Sequence, residues 1–314
     1  MMEEIPMPFE IVKENLASMA VDAIVYADTQ HTFSLFNFNP LLLQEGGKEL
    51  SKSRQEVGSV AAGEAKIASA SNLAAKYIIH TAAPVWHGGM YNELDQLRSC
   101  YEKVFQLAAE HQCKSIALPI IGGSNLGFPK KLTQRTAFEC INSFLCLHDM
   151  NLSLVLPNKT GIILPGNRFS EVNTYLSKNY VDGNDDSLRI PSDQSAPAFS
   201  QIIHQWMAKK ELNESDICHK ANIPASLFSD ILDKDNKDDM KHEPDKRAVL
   251  SLGVALGLAP EEMTDFIGHA GYSLTNNSKF DLIIKYCIEK NIYDIWEINQ
   301  ILFRFEQEML GGNI

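Results

Sequence analysis

The 314-residue sequence predicts an α/β domain followed by an all-α domain, and three observations carry that prediction. Up to residue 180, short apolar runs suited to buried strands alternate with amphipathic stretches. A segment rich in turn formers follows at 181–198. Beyond it the apolar spacing is helical throughout. A chain of this length accommodates two domains, here 1–180 and 199–314 around a linker at 181–198.

Taken in order, Val21-Asp22-Ala23-Ile24-Val25 has the pattern of a short buried strand, as do 76–81, 115–121 and 152–156. Between them, 92–111 places Leu94, Leu97, Tyr101, Val104, Phe105 and Ala108 at helical spacing. The stretch 131–147 does the same with Leu132, Thr136, Phe138, Ile141, Phe144 and Leu145. After the linker, Phe199, Ile202, Ile203 and Trp206 share one face. Asn213 is placed to cap a helix from Glu214 to Ala221. Pro224 suits the first turn of the next helix, which runs through Ile231. Further helical stretches cover 247–256, 261–268, 280–290 and 293–306, and no internal repeat is present.

The net charge of −12 is unevenly held: −2 over 1–180 and −10 over 181–314. Nonspecific attraction to nucleic acid rests on basic residues that displace counterions, so the acidic half argues against DNA. No apolar run approaches the roughly 18 residues that a membrane span needs. The first nine residues lack the basic start and apolar core of a signal peptide. These features lead to the expectation of a cytoplasmic protein with no membrane partner. The six cysteines are scattered, with no Cys-x-x-Cys pair and no zinc-like spacing to histidine. They are expected to be reduced, buried thiols, with no metal and no cofactor.

Several ordered strings in residues 8–180 carry a specific resemblance. They are Pro8-Phe9-Glu10-Ile11-Val12, the 21–25 strand, Gly63-Glu64-Ala65-Lys66-Ile67 and 72–81, then Pro84-Val85-Trp86, Cys100-Tyr101 and Gly127-Phe128-Pro129. In these the chain resembles the macro domain family in its bacterial form. The resemblance implies a mixed six-stranded sheet between helices, with ADP-ribose in a cleft over the strand ends. Backbone amides of glycine-rich loops would cradle its diphosphate.

At the ligand-contact positions the chain departs from the family pattern. Glu14-Asn15-Leu16-Ala17 stands where the family has a Gly-Asp-Ile-Thr-like turn, so Asn15 replaces the adenine-binding Asp. Tyr26-Ala27-Asp28-Thr29 replaces Asn-Ala-Ala-Asn, and Thr29 takes the place of the catalytic Asn. The following phosphate loop has no glycine between 30 and 40, and it carries Phe33, Phe36 and Phe38. The second phosphate loop, after Ile121, reads Gly122-Gly123-Ser124-Asn125-Leu126-Gly127-Phe128. In it Ser124 replaces a glycine and Leu126 an aromatic. Pro157 replaces an aromatic that stacks on adenine. Each lost hydrogen bond to a ligand costs about 1–3 kcal/mol.

Asp28 is the carboxylate in the catalytic loop, and His31 lies three residues on. A base-and-partner role competes with the plainer reading of two solvated loop residues, which is preferred for want of a second group with a fixed role. His80 is expected to end a strand and to serve packing. Trp86 is expected in the core, His87 in a loop, and Glu64 at a strand edge. The Gly122-Gly123-Ser124-Asn125 loop reads equally as an anion nest or as a tight turn.

Residues 199–268 resemble the lambda-repressor-type helix-turn-helix family through the Phe199 helix, the Leu212-to-Asp216 segment and the Ala221-Asn222-Ile223-Pro224 turn. The would-be recognition helix, 224–232, holds no Arg or Lys, and the acidic run 233–239 follows it. Residues 279–310 resemble a helical extension joined to bacterial macro domains. The first expectation is therefore a non-catalytic sensing or scaffolding protein whose remodelled cleft holds an ADP-ribose-like or other nucleotide metabolite rather than free ADP-ribose, or nothing, and that meets a protein partner through its acidic helices. The second is a hydrolase of ADP-ribosyl or O-acetyl-ADP-ribose compounds using Asp28 and Thr29. The third is a ligand-responsive DNA-binding regulator.

Overall fold

The computed structural model describes residues 7–29, 40–123, 126–182, 199–232 and 244–311. The chain divides into two compact units, one of Phe9–Ile163 and one of Leu164–Ile314 with the residues ahead of Phe9.

The first unit runs β1 (Phe9–Val12), β2 (Ala23–Thr29), α1 (Pro40–Val57), β3 (Ala65–Ser69), β4 (Tyr77–Ala83), α2 (Glu93–Glu110), β5 (Ser115–Leu118), α3 (Lys130–Leu145) and β6 (Asn151–Val155). Its strands form one mixed six-stranded sheet in the order β1-β6-β5-β2-β4-β3. Every pairing is parallel except that of β3 with β4. Strand β4 is buried from Ile78 to Ala83, as expected for a central strand covered on both faces. Edge strand β3 is half exposed. Its Lys66 ammonium donates to the carbonyls of Val57, the last residue of α1, and Ser59 just beyond it. Leu42 and Leu50 of α1 pack with Ile24, Leu73 and Ile78 in one core cluster. Helix α2 buries Leu97, Cys100, Tyr101, Val104 and Ala108 completely, the face its spacing predicts.

The three central strands are pinned at their starts by Asp22. Its carboxylate accepts N–H bonds from Lys114 at 2.7 Å and Ser115 at 3.2 Å, and it pairs with Lys76 at 2.6 Å. Its carbonyl accepts the N–H groups of Lys76 and Tyr77, and its own N–H donates to Ser115 Oγ. Burial works to raise the Asp22 carboxyl. Lys76 and the two backbone amides overcome that effect and hold it below its ordinary range.

Two expectations are corrected here. Strand β5 stops at Leu118, because Pro119 has no N–H to continue the ladder. His80 lies inside β4, which runs on to Ala83, rather than ending a strand.

The described part of the second unit is helical: α4 (Arg168–Asn179), α5 (Phe199–Lys210), α6 (Glu214–Ala221), α7 (Ala225–Leu232), α8 (Lys246–Ala255), α9 (Pro260–His269), α10 (Lys279–Glu289) and α11 (Ile295–Arg304). Asn213 caps α6 in a capping box with Asp216, as its position predicts. Helix α8 is the centre, with Ala248 to Ala255 all buried. At Gly253 an added Cβ would fall 2.5 Å from Met263 Sδ, so α8 and α9 approach closely. Tyr175 Oη donates to Glu289 at 2.7 Å and Tyr286 Oη to Glu171 at 2.7 Å, which ties α4 to α10. Asn299 accepts the N–H of Leu310 at 2.7 Å and donates to its carbonyl at 2.9 Å, holding the segment after α11 in the core. Asp281, 1% exposed, accepts from Lys246 Nζ at 2.7 Å and from the N–H and hydroxyl of Thr275. The expected linker falls largely on 183–198 and the acidic run on 233–239, both outside the described residues.

Asp281→Ala leaves the Lys246 ammonium half-buried and unpaired, and is expected to cost the helical unit about 3–5 kcal/mol in urea unfolding. Asp22→Ala removes the acceptor of the part-buried Ser115 N–H and the partner of the Lys114 amide and the Lys76 ammonium, with an expected loss of about 1–3 kcal/mol from the α/β unit. A urea midpoint unmoved by either change would remove the role given to that carboxylate.

Candidate functional site

Because β1, β6, β5, β2 and β4 are parallel, the segments that follow them all emerge along one edge of the sheet. In open α/β sheets this edge is where ligands bind. The sequence-selected residues gather there by backbone position. Asn15 and Leu16 follow β1; Ala27, Asp28 and Thr29 end β2; Ile121 to Phe128 follow β5; and Pro157 follows β6. Asp28 and Thr29 stand opposite Ala82 and Ala83 in the ladder. The side chains of Asp28 and Thr29, and all of His31, Phe33, Phe36, Phe38, Ser124 and Asn125, lie outside the described residues.

The loop after β5 is described at 119–123 and 126–129. Ile121 N–H donates to the hydroxyl of Tyr101 at 2.8 Å, and Tyr101 is wholly buried on α2. Burial pushes that hydroxyl far above its ordinary range, so it stays protonated and neutral. Gly122 turns the chain at φ 82°, where a Cβ would sit 3.1 Å from Leu97 Cδ1 and 3.3 Å from Thr133 Cγ2. Gly127 has φ 77° and packs against the Trp86 backbone. Both positions need glycine for conformation, and Gly122 needs it for space as well. Gly123 is exposed, and Leu126 N–H donates back to its carbonyl. Among the described residues, no acceptor takes the N–H groups of Gly122, Gly123 or Gly127. Backbone amides left without an internal acceptor can hold an anion.

A second loop, 84–92, braces the first. Trp86 is half-buried rather than fully in the core; its N–H donates to the Leu126 carbonyl at 2.8 Å and its ring lies 4.9 Å from that of Phe128. Leu126 and Phe128 are buried by this packing. Glu93 is 1% exposed, and its carboxylate accepts the N–H groups of Tyr91 at 2.7 Å and His87 at 2.8 Å. Burial works to raise its carboxyl, and donation from backbone amides overcomes this and holds it below the ordinary range. Neither Glu93 nor the Tyr101 hydroxyl is legible as a site residue in the sequence. An acid in the first turn of a helix and an aromatic on its apolar face are both ordinary.

Asn15 is already engaged. Its Oδ1 accepts from Ala17 N–H at 3.1 Å, capping a short 3₁₀ turn, and its Nδ2 donates to Glu45 at 3.4 Å. The oxygen at this position thus already holds one hydrogen bond, within the turn. Leu16 packs against the α1 core and Pro157 is exposed. Glu64 is exposed beside β3, as expected for an edge residue.

His80 is fully buried, with the Tyr26 ring edge-on at 5.9 Å. Burial, with a smaller contribution from Arg54, holds its imidazole at about 3, below the ordinary 6.5. It is neutral at physiological pH and cannot exchange protons there. The unfolded chain takes up this proton more readily, so the stability tied to neutral His80 is complete above about 6.5 and is lost as pH falls toward 3. His80→Leu is expected to flatten that part of the urea-midpoint profile, and an unaltered profile would contradict the assignment.

Among the described residues, no three His, Cys, Asp or Glu side chains group to hold a metal, and no helix is long and apolar enough to cross a membrane. The family model described as "Macro domain" matches residues 40–137. A macro domain-containing protein of Listeria monocytogenes is 36% identical over 166 residues, covering 47% of this chain and 94% of that protein. A Cronobacter sakazakii protein named O-acetyl-ADP-ribose deacetylase is 39% identical over 95 residues, covering 30% of this chain and 53% of its own. The solved Oceanobacillus iheyensis macrodomain with ADP aligns at 26% identity and a TM-score of 0.44, covering 47% of this chain and 82% of that one. With nearly the whole Listeria protein matched onto a six-stranded mixed sheet, the chain belongs to the macro domain family, its macro domain joined to a large C-terminal helical region.

Proposed function

We propose that the cleft over the strand ends of the α/β unit binds an ADP-ribose-type nucleotide, with the loop 121–127 as its diphosphate seat. The observation that carries this reading is the set of untaken amides at Gly122, Gly123 and Gly127, directly before the N-terminus of α3. Two exposed lysines, Lys130 and Lys131, open that helix, and its first turn has no acid. Cations at a helix N-terminus oppose the macrodipole and cost a few tenths of a kcal/mol or more. A bound diphosphate offsets that cost. Hydrolysis of an ADP-ribose derivative is the activity favoured by the name of the Cronobacter relative.

Binding without turnover is the second reading. It is favoured by Thr29 in the position of the family's catalytic Asn, and by a neutral Asn15 where the family has an acid. For the helical region, the exposed face of α7 is Ala225, Ser226, Ser229 and Asp230, without a cation. This supports a helix-turn-helix-like module that meets protein rather than DNA. Retention on DNA that weakens with salt would support a DNA-binding regulator instead.

Calorimetry with ADP-ribose is expected to show binding that Gly123→Glu weakens at least about tenfold, since a carboxylate there repels the diphosphate. Gly123 is exposed and has open space at its Cβ apart from the Ile120 carbonyl at 3.5 Å, so the variant keeps the fold. No heat with the wild-type chain would overturn the site. Acetate release from O-acetyl-ADP-ribose that is lost in the same variant separates the hydrolase from the binder.

A further inference from the structure

On the face of the α/β unit formed by α2 and α3 lies a groove of about 440 Å³ that the nucleotide cleft does not use. Its floor is an aromatic ladder: Phe105 and Phe144 stack at 4.5 Å, and Phe144 and His148 at 4.4 Å. Leu147, just past α3, lines it while 81% exposed, the largest exposure among the described large hydrophobics. The two rims differ. On α2, Glu102, Gln106 and Glu110 recur every four residues and face the groove. Among the described residues neither glutamate is in an ion pair, whereas Arg98 at the groove's end is neutralised by Glu139. The α3 rim, Cys140 and Ser143 leading to Leu147, is uncharged. Along α2 the groove spans Arg98 to Glu110, about 18 Å at 1.5 Å per residue, or a little over three helical turns.

We infer that this groove docks an amphipathic helix of a partner protein, with an apolar stripe over Phe105, Phe144 and Leu147 and lysines or arginines along the edge that meets Glu102 and Glu110. The length suits a helix of about three turns, and the open apolar floor with one charged rim matches recognition by an apolar face flanked by opposite charge. A second copy of this chain is a poor occupant, since its net charge of −12 opposes an acidic rim.

The test uses the full chain and a fluorescein-labelled peptide of about 14 residues, built from Leu, Ala and Lys as an amphipathic helix. Its counterpart carries Glu in place of Lys. Fluorescence anisotropy is expected to show the Lys peptide binding at least about tenfold tighter than the Glu peptide. Leu147→Asp is expected to weaken it about tenfold. Glu102→Gln with Glu110→Gln is expected to remove the preference and its salt dependence. Leu147 is exposed, so its variant retains the fold; Ala109→Trp, filling the groove from α2, is an independent block. Equal binding of the two peptides, or insensitivity to both groove variants, overturns the inference. A dimer in light scattering that Leu147→Asp dissociates assigns the groove to a second copy and overturns it as well.

Discussion

The carboxylate of Asp22 is the contact on which the α/β unit depends. A parallel sheet has no hairpins to fix its register, so something must align strands that arrive from distant parts of the chain. Here one residue before β2 takes N–H groups from the start of β5 and a cation from the start of β4, while its carbonyl takes the first amides of β4. A slip of one residue would turn every side chain of a strand to the opposite face. Fixing the starts also fixes the ends, and the ends of β2, β4 and β5 are where the cleft loops begin. The site thus takes its geometry from a contact at the far edge of the sheet.

Helix α2 then sets the loops. Its buried Tyr101 hydroxyl receives Ile121 N–H, and its first residue, Glu93, holds the amides of the neighbouring 84–92 loop. Both are buried polar groups, costly to leave unpaired, so each loop has a strong reason to keep one shape. The glycines in the 121–127 loop complete the arrangement, because a Cβ at Gly122 would meet both Leu97 of α2 and Thr133 of α3. Braced flanks that leave backbone amides without an internal acceptor are what an anion seat requires.

Much of the fold is legible in the sequence where burial is continuous. The Val21–Val25 run, the 76–81 run and the apolar face of α2 stand out because their periodicity comes from a covered sheet or one covered helix face. Strand β3 is harder to read, because an edge strand with a half-exposed pattern has no clean alternation. Helix α1 is masked by Gly46-Gly47, and its backbone leaves helical geometry at Gly47. His80 shows why a polar residue misleads about strand ends: the pattern breaks at the imidazole, yet the ladder continues to Ala83. In the site, positions are legible and interactions are not. Asn15 falls where the resemblance puts a ligand acceptor, but only the fold shows its oxygen capping a 3₁₀ turn.

That last residue bears on selectivity. A nucleotide site divides its affinity between base recognition and phosphate capture. On the proposed reading, the 121–127 loop offers Gly122, Gly123 and Gly127 to the diphosphate, with Lys130 and Lys131 at the start of α3. Asn15, where the resemblance puts the base acceptor, is a neutral amide whose oxygen already takes one hydrogen bond, from Ala17. A charge-assisted hydrogen bond is about twice as strong as a neutral one, so the balance moves from the base toward the diphosphate. Discrimination then has to come from shape around the sugar and from what is attached to it, the part of the cleft where Thr29 and Leu126 replace the family's residues. On this reading Thr29 and Leu126 alter the parts of the cleft that would supply identity and chemistry, while Gly122, Gly123 and Gly127 remain to seat the diphosphate.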